Sequence, residues 1–362
     1  MDDEKEAAPA AMDAPAAPEA PAASEAAPAP EAPAAPGKPG FGTLARRAVA
    51  AFLDWFWSNV AVGTFGVWLL AEVFRDRLRI TGVFLLIPSL SIAAMLLATA
   101  LLARLCTCRK IALAALVLAL FPAVSGLLVE NQWVRPKPQG DAERRLRLVH
   151  WNVGENANGW KATLERLEAQ KPDACVLSEI CSRDDVGSIA AGLGSDFRVY
   201  HVRNLAVVAR GPVGLVMPDE RVRGRAYFVD WQSAHGTVRL LVCDIPSHPV
   251  YYHASWLAKV RERMGVHRPD LVVGDFNATR RTSALSRLPK GYAHAYYAAG
   301  KGWSCTWPDP LPLWDIDQCI AGPRIRPIRY DIVATGVSDH RMQVFDFSLA
   351  PEGASAAPSG AR

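Results

Sequence analysis

The chain predicts an α+β head, with two sheets packed face to face and helices outside, preceded by transmembrane helices. Three observations carry this. Residues 41 to 130 contain three long windows without a charged side chain. From Arg145 onward, short β-branched runs alternate with a smaller number of helical ones. Polar, chemistry-bearing residues then recur where those apolar runs stop, the place where a strand ends and a loop can hold a ligand.

Averages conceal this organisation. The 362 residues are 50% hydrophobic and 21% charged, with a mean hydropathy of +0.07, which suits an ordinary soluble protein. Residues 1 to 40, however, hold 16 Ala and 9 Pro, with 8 acidic against 2 basic side chains. This stretch has too few large apolar groups to build a core and is expected to be a disordered tail. Its acidic start is unlike a secretory signal. A purely soluble single domain is excluded, as is a disulfide-stapled miniprotein. The seven cysteines are odd in number and lack paired CxxC spacing, so neither a zinc ribbon nor a disulfide framework is expected. Cys175, Cys243 and Cys319 lie in strand-like runs and read as small buried hydrophobes.

The uncharged windows run from 55 to 71, 80 to 103 and 111 to 129, which is 17, 24 and 19 residues. About 20 helical residues cross a hydrocarbon core, so the second and third are long enough, with Pro88 expected only to kink the second. The first is shorter and more polar, but Trp55, Trp57 and Trp68 near its ends suit an interfacial belt. It is expected to span, with an in-plane amphipathic helix as the alternative. Arginines and lysines flank both sides of the windows, so charge does not assign the topology. Residues 131 to 145 read as a basic, Pro-containing juxtamembrane linker that also suits anionic headgroups. The expected organisation is a tail over 1 to 40, an anchor of two to three transmembrane helices over 41 to 130, this linker, a head over 146 to 350, and a second tail over 351 to 362.

Within the head, strands are expected at Leu146–Val153, Ala174–Ile180, Leu205–Ala209, Ala226–Trp231, Val238–Asp244, Leu271–Asp275, Ile316–Ala321 and Val344–Phe347. Helices are expected at Trp160–Gln170, Asp184–Leu193 and His253–Met264. No internal repeat is visible.

Five places combine a strand end with a chemical group: Asn152 in LVHWNV, Glu179 in ACVLSEI, Asp275 and Asn277 in LVVGDFNA, Asp317 in WDIDQCI, and Asp339 with His340 in GVSDHR. Each alone has a structural explanation as a turn former, a cap or a solvated carboxylate. Taken in order, they resemble the endonuclease/exonuclease/phosphatase superfamily, whose fold is that of deoxyribonuclease I. PDACVLSEI, NLAVVARGPV, GDFNA and TWPDPLPLWDID strengthen the resemblance, which covers Leu146 to Leu349.

The resemblance implies a four-layer α/β/β/α sandwich with its active site at one rim, and hydrolysis of phosphoester bonds with Mg²⁺ or Mn²⁺. It implies that Glu179, with Asn152 and Asp339, binds the metal, in keeping with hard oxygen ligands. His340 would exchange a proton or contact the phosphate, with Asp317 fixing its tautomer. Asp275 would orient water or protonate the leaving oxygen, and the Asn277 amide would donate to a phosphate oxygen. It further suggests a membrane-anchored, bacterial-type member, integral to the bacterial inner membrane, with no obligate protein partner.

One departure stands out. Where the family's strand ends in a phosphate-contacting histidine, this chain has Asp244. Three explanations are open: Asp244 adds a metal ligand or binds a second cation, His248 reaches in from the next loop, or activity is weakened. Gln318 after Asp317 is a milder departure. Trp303 and Trp307 read as packing residues that alternatively stack on a base or headgroup. Arg280 and Arg281 read equally as a second phosphate site or a solvated pair. His201, His235, His253, His267 and His294 read as surface or hydrogen-bonded histidines.

The function expected is a membrane-anchored, divalent-metal-dependent phosphoester hydrolase acting on nucleic acid, a lipid headgroup or another phosphoester. Its rival is a catalytically weakened member of the fold that binds phosphate ligands at the membrane.

Overall fold

The computed structural model describes residues 41 to 218, 225 to 247 and 253 to 350. The two expected tails and His248 lie outside the described residues.

The helical region opens with α1 (Phe41–Phe74), followed by α2 (Arg79–Leu85), α3 (Ser89–Leu105) and α4 (Arg109–Val124), which a wider turn extends to Val129. Both α1 and the Arg109–Val129 helix are long and apolar enough to cross a membrane. The second window differs from expectation: α2 and α3 meet at 78° across a break at residues 86 to 88, instead of forming one kinked span. Pro88 supplies no N–H and drives the residue before it out of helical geometry, so the ladder stops. α3 and α4 pack along a seam of small side chains that includes Ala103, Ala112, Ala115 and Ala119. Small residues let the two helices approach closely.

The head begins with β1 (Leu146–Asn152), α5 (Trp160–Glu168), β2 (Ala174–Ser178), α6 (Arg183–Leu193), β3 (Phe197–Val202), β4 (Leu205–Arg210) and β5 (Val213–Pro218). It continues with β6 (Ala226–Ser233), β7 (Gly236–Asp244), α7 (His253–His267), β8 (Leu271–Asp275), β9 (Ala293–His294) and α8 (Ala295–Ala299). β10 (Asp317–Ala321), β11 (Ile325–Val333) and β12 (Met342–Leu349) complete it. One sheet runs β11-β12-β1-β2-β4-β3 and the other β5-β6-β7-β8-β10-β9. Each is built around one parallel pair, β1 with β2 and β7 with β8. α5 and α7 lie in the connections between those paired strands, as a parallel pair requires.

The layers follow from alternation along the strands. Leu148, Val176 and Val207 of one sheet meet Val229, Val242 and Val273 of the other in a shared inner core. Their neighbours Val149, Leu177 and Val208 face outward under Leu167 of α5 and Val186 and Ile189 of α6. On the opposite outside, Leu257, Val260 and Met264 of α7 cover Leu241 and Val272. The result is the expected four-layer sandwich. All expected strands and helices are present, joined by β3, β5, β9, β11 and α8.

Two consequences of this packing place the site. The inward-facing columns change character at one rim: Leu240 and Val242 lead to Asp244, and Leu271 and Val273 to Asp275, while the antiparallel β10 starts at Asp317 before Cys319 and Ala321. Asp244, Asp275 and Asp317 are register partners across three adjacent strands. Across the core, Leu146 and Leu148 lead to His150 and Asn152, and Ala174 and Val176 to Ser178. Strand alternation thus delivers polar groups from both sheets into one buried polar cluster, hereafter the cleft.

The segment after the helices is docked on the head. Gln132 donates its N–H to the Tyr296 hydroxyl at 2.6 Å, and Arg135 pairs with Asp331 at 2.6 Å. The Gln139 N–H reaches the Pro327 carbonyl at 2.8 Å.

Candidate active site

Gly274 makes the centre of the site possible. Its φ is +151°, and a Cβ there would stand 1.9 Å from the Cys243 carbonyl oxygen, so a side chain would force β7 and β8 apart. The next residue, Asp275, is 1% exposed and has both oxygens held. Asn152 Nδ2 donates to Oδ2 at 2.9 Å, and the Asn277 backbone N–H donates to Oδ1 at 2.8 Å. Asn277 is left-handed, with φ of +45°, and spends one Nδ2 hydrogen on the Ile245 carbonyl at 2.8 Å. The Asn152 carboxamide oxygen accepts from the Gly154 N–H at 3.0 Å, so this side chain ties β1 to β8 across the core.

Beside it lies a charged pair. His340 Nδ1 meets Asp317 Oδ2 at 2.8 Å, with both residues buried. The Ser338 hydroxyl donates to the Asn152 carbonyl at 2.8 Å, the His340 N–H donates to that hydroxyl at 3.0 Å, and Trp151 Nε1 donates to the His340 carbonyl at 3.0 Å. Burial opposes charge on His340, but the Asp317 carboxylate beside it wins and lifts the imidazole to about 9. Asp317 would itself be raised by burial, and the His340 charge and hydrogen bond overcome that to hold it below the usual carboxylate range. Asp275 is the loser in this arrangement: burial, then the adjacent Asp317 charge, push it well above the usual range. Near neutral pH the cleft therefore holds a His340⁺–Asp317⁻ pair and a proton-avid Asp275.

Sequence reasoning missed His150, the second histidine of the cleft. It is 1% exposed, with Nε2 3.1 Å from the Ser178 hydroxyl and Nδ1 4.0 Å from Asp317 Oδ1. Burial pulls its imidazole down to about 4, so it is neutral where His340 is charged. The signal was available: His150 is two residues before Asn152 on the inward face of an otherwise apolar strand.

Glu179 and Asp339 are more open. Glu179 follows β2 with a φ of +56°, which takes it out of the strand's alternation. Its neighbour Ile180 is pinned to the Asn204 carbonyl at 3.1 Å, while the Glu179 carboxylate has no hydrogen bond or ion pair among the described residues. Asp339 is exposed and accepts from Trp307 Nε1 at 2.8 Å. Trp307 thus holds a site carboxylate, whereas Trp303 is satisfied by the Pro312 carbonyl at 2.9 Å.

Asp244 is 4% exposed, and its Oδ2 takes Asn204 Nδ2 at 2.5 Å and Arg225 Nη1 at 3.1 Å. Burial raises this carboxyl while Asn204 and Arg225 pull it down. The cation that Asp244 holds in this structure is the Arg225 guanidinium.

The readings of Arg280 and Arg281 are corrected. Arg280 is buried, ion-paired to Asp315 at 2.9 Å and stacked 4.6 Å from the Tyr296 ring centre. Arg281 pairs with Glu72 at 2.5 Å and Glu130 at 3.6 Å. They are neither solvated nor free for phosphate. His201 and His294 are hydrogen-bonded to the carbonyls of Ile180 and Leu285 at 3.0 and 2.8 Å.

The expected metal ligands differ from the trio that clusters most tightly. Asp275, Asp317 and His340 bring ligand atoms within 4.8 Å of one another. That trio is occupied internally, since a cation there would replace the Asp317–His340 bond. Glu179 and Asp339 are hard oxygen donors outside that trio, and the Glu179 carboxylate has no competing partner among the described residues.

Comparison with known proteins bears on the whole head. A search of curated proteins finds no match. Among solved structures, a humanized D. rerio TDP2 carrying 14 mutations is 16% identical, with a TM-score of 0.47 over 57% of this chain and 99% of that one. An endonuclease/exonuclease/phosphatase from Beutenbergia cavernae is 17% identical, with a TM-score of 0.47 over 57% of this chain and 72% of that one. A family protein of that description from Bacteroides thetaiotaomicron is 12% identical, with a TM-score of 0.47 over 60% and 98%. The model of the endonuclease/exonuclease/phosphatase family matches residues 149 to 340, a span that begins in β1 and ends at the histidine paired with Asp317, and the chain belongs to that family.

Proposed function

We propose that the protein is a membrane-anchored, divalent-metal-dependent phosphoester hydrolase whose chemistry resides in the cleft between the two sheets. The observation that carries this reading is the hydrogen-bonded set Asn152–Asp275 and Asp317–His340, closed over a rim where Glu179 stays unpaired. Glu179, Asn152 and Asp339 would hold Mg²⁺ or Mn²⁺, which when bound supplies a positive charge against phosphate oxygens.

The chain's own groups do the rest. Protonated His340 donates toward a non-bridging phosphate oxygen, and Asp317 keeps it charged and oriented. Asp275, made basic by its surroundings, is suited to take the proton of an attacking water and return it to the leaving oxygen. The remaining Nδ2 hydrogen of Asn277 donates to a second phosphate oxygen. Asp244, the best support for a binding-only reading, is neutralised by Arg225 and so does not repel the anion. The placement in a bacterial inner membrane rests on the sequence resemblance together with the spans.

The test uses the full chain in detergent with Mg²⁺ and bis(4-nitrophenyl) phosphate. His340→Ala is expected to lower turnover by about 10²- to 10⁴-fold. Equal, negligible rates for wild type and variant across a panel of soluble and lipid phosphoesters overturn the enzyme reading.

A further inference from the structure

The break between α2 and α3 leaves backbone carbonyls without helical partners, and the head supplies the donors. Trp314 Nε1 donates to the Leu86 carbonyl at 2.6 Å, and Arg281 Nη1 to the Ile87 carbonyl at 3.4 Å. The same Arg281 is clamped by Glu72, in the last turn of α1, and Glu130, just beyond α4. The loop after GDFNA and the loop before β10 therefore sit at the polar ends of the spans. α2 is too short to cross a bilayer. It turns Ile80 and Val83 outward, with Leu86 just beyond its end, and keeps Thr81 and Leu85 buried, the pattern of a helix lying in the membrane boundary.

From that boundary to the catalytic cleft is one hairpin. Trp314, on the helix break, forms an antiparallel bridge with Trp307, and their rings lie 5.3 Å apart. Trp307 in turn holds Asp339. Between them the tip residue Leu311 is 70% exposed among the described residues. Indole pairs suit the headgroup level of a bilayer, and a bare leucine suits the layer just beneath.

Four arginines near this rim are ion-paired among the described residues: Arg280 with Asp315, Arg281 with Glu72 and Glu130, Arg341 with Asp309, and Arg225 with Asp244. A polynucleotide backbone is gripped by unpaired cations, and these four guanidiniums are already engaged by carboxylates. We infer that the substrate is a phosphoester in a lipid headgroup of the same bilayer, admitted past the Trp307–Trp314 hairpin with Leu311 seated in lipid. This inference rests on the hydrolase reading and on the spans.

The experiment places the full chain in vesicles of phosphatidylcholine and phosphatidylglycerol with labelled headgroups. Release of label is compared with turnover of bis(4-nitrophenyl) phosphate and with nicking of plasmid DNA. Wild type is expected to release headgroup phosphate. Leu311→Asp should lower that release about tenfold and leave the soluble diester rate within about twofold, because only the lipid-seated step loses apolar burial. Leu311→Phe should retain lipid turnover. Soluble diester turnover without headgroup release, faster nicking of DNA than release of headgroup, or an equal loss on both substrates in Leu311→Asp overturns the inference while leaving the hydrolase reading intact. The opposite failure, no turnover of any substrate beyond His340→Ala, removes the hydrolase reading itself.

Discussion

The two halves of the cleft are built differently. On the β10 and β12 side, Asp317, His340 and Ser338 are buried and joined to one another and to β1 by short hydrogen bonds. On the β2 side, Glu179 is half-buried with an unpaired carboxylate on a left-handed residue. Desolvated charges must be paired to be tolerated, so the closed half is rigid and its protonation is set from within. The open half leaves the Glu179 carboxylate without a partner among the described residues.

The largest effect is expected from breaking the closed half. Asp317→Asn removes the charge that holds the His340 proton, so soluble diester turnover should fall by about 10²- to 10⁴-fold, with the rate–pH profile displaced to lower pH. A loss confined to KM would contradict this assignment. Opening the other half further is the next test. Glu179→Gln should preserve the melting temperature yet raise the Mg²⁺ concentration for half-maximal activity at least about tenfold, and isothermal titration with the metal reads this directly. Unchanged metal affinity would move the site to the Asp275 trio.

A third test loosens the support behind the cleft. Glu72→Ala leaves Arg281 with Glu130 alone and should cost about 1–2 kcal/mol in detergent melts, along with faster proteolysis of the loop after GDFNA. The smallest effect is a control outside the rim. Burial, then the Arg280 charge, pull His294 down to about 3, so it stays neutral when folded and takes a proton on unfolding. Its contribution is present above pH ~6.5 and is lost as pH falls toward 3, at most about 1.4 kcal/mol per pH unit. His294→Gln should flatten acid denaturation over that window and leave turnover unchanged.

Much of this contrast was legible in the residues. The closed half could be read because Asp317 and Asp339–His340 adjoin apolar runs, at the start of β10 and just before β12, and burial punishes any less specific choice there. The strands of the inner core were legible for the same reason: alternation with β-branched residues leaves few other outcomes. β3 and β11 escaped because polar residues such as Arg198, His201, Arg326 and Arg329 interrupt their pattern. The fates of Arg280 and Arg281 depend on Asp315, Glu72 and Glu130, and no local pattern announces partners that lie between 35 and 209 residues away. His150 was overlooked because a histidine within LVHWNV has no local partner, and its meaning comes from Asp317 in the facing sheet. Pro88 was visible, but the size of the bend was not, since the donors that stabilise the broken ends come from the head.

That last dependence has a consequence for biogenesis. The acceptors at Leu86 and Ile87 leave the ribosome long before their donors at Arg281 and Trp314, and β12, the last strand, sits between β1 and β11 in its sheet. The turn between α2 and α3 therefore stays unfinished until almost the whole chain has been made. A chain cut short before β12 would lack the strand that joins β1 to β11, so the head that carries those donors would be left with an incomplete sheet.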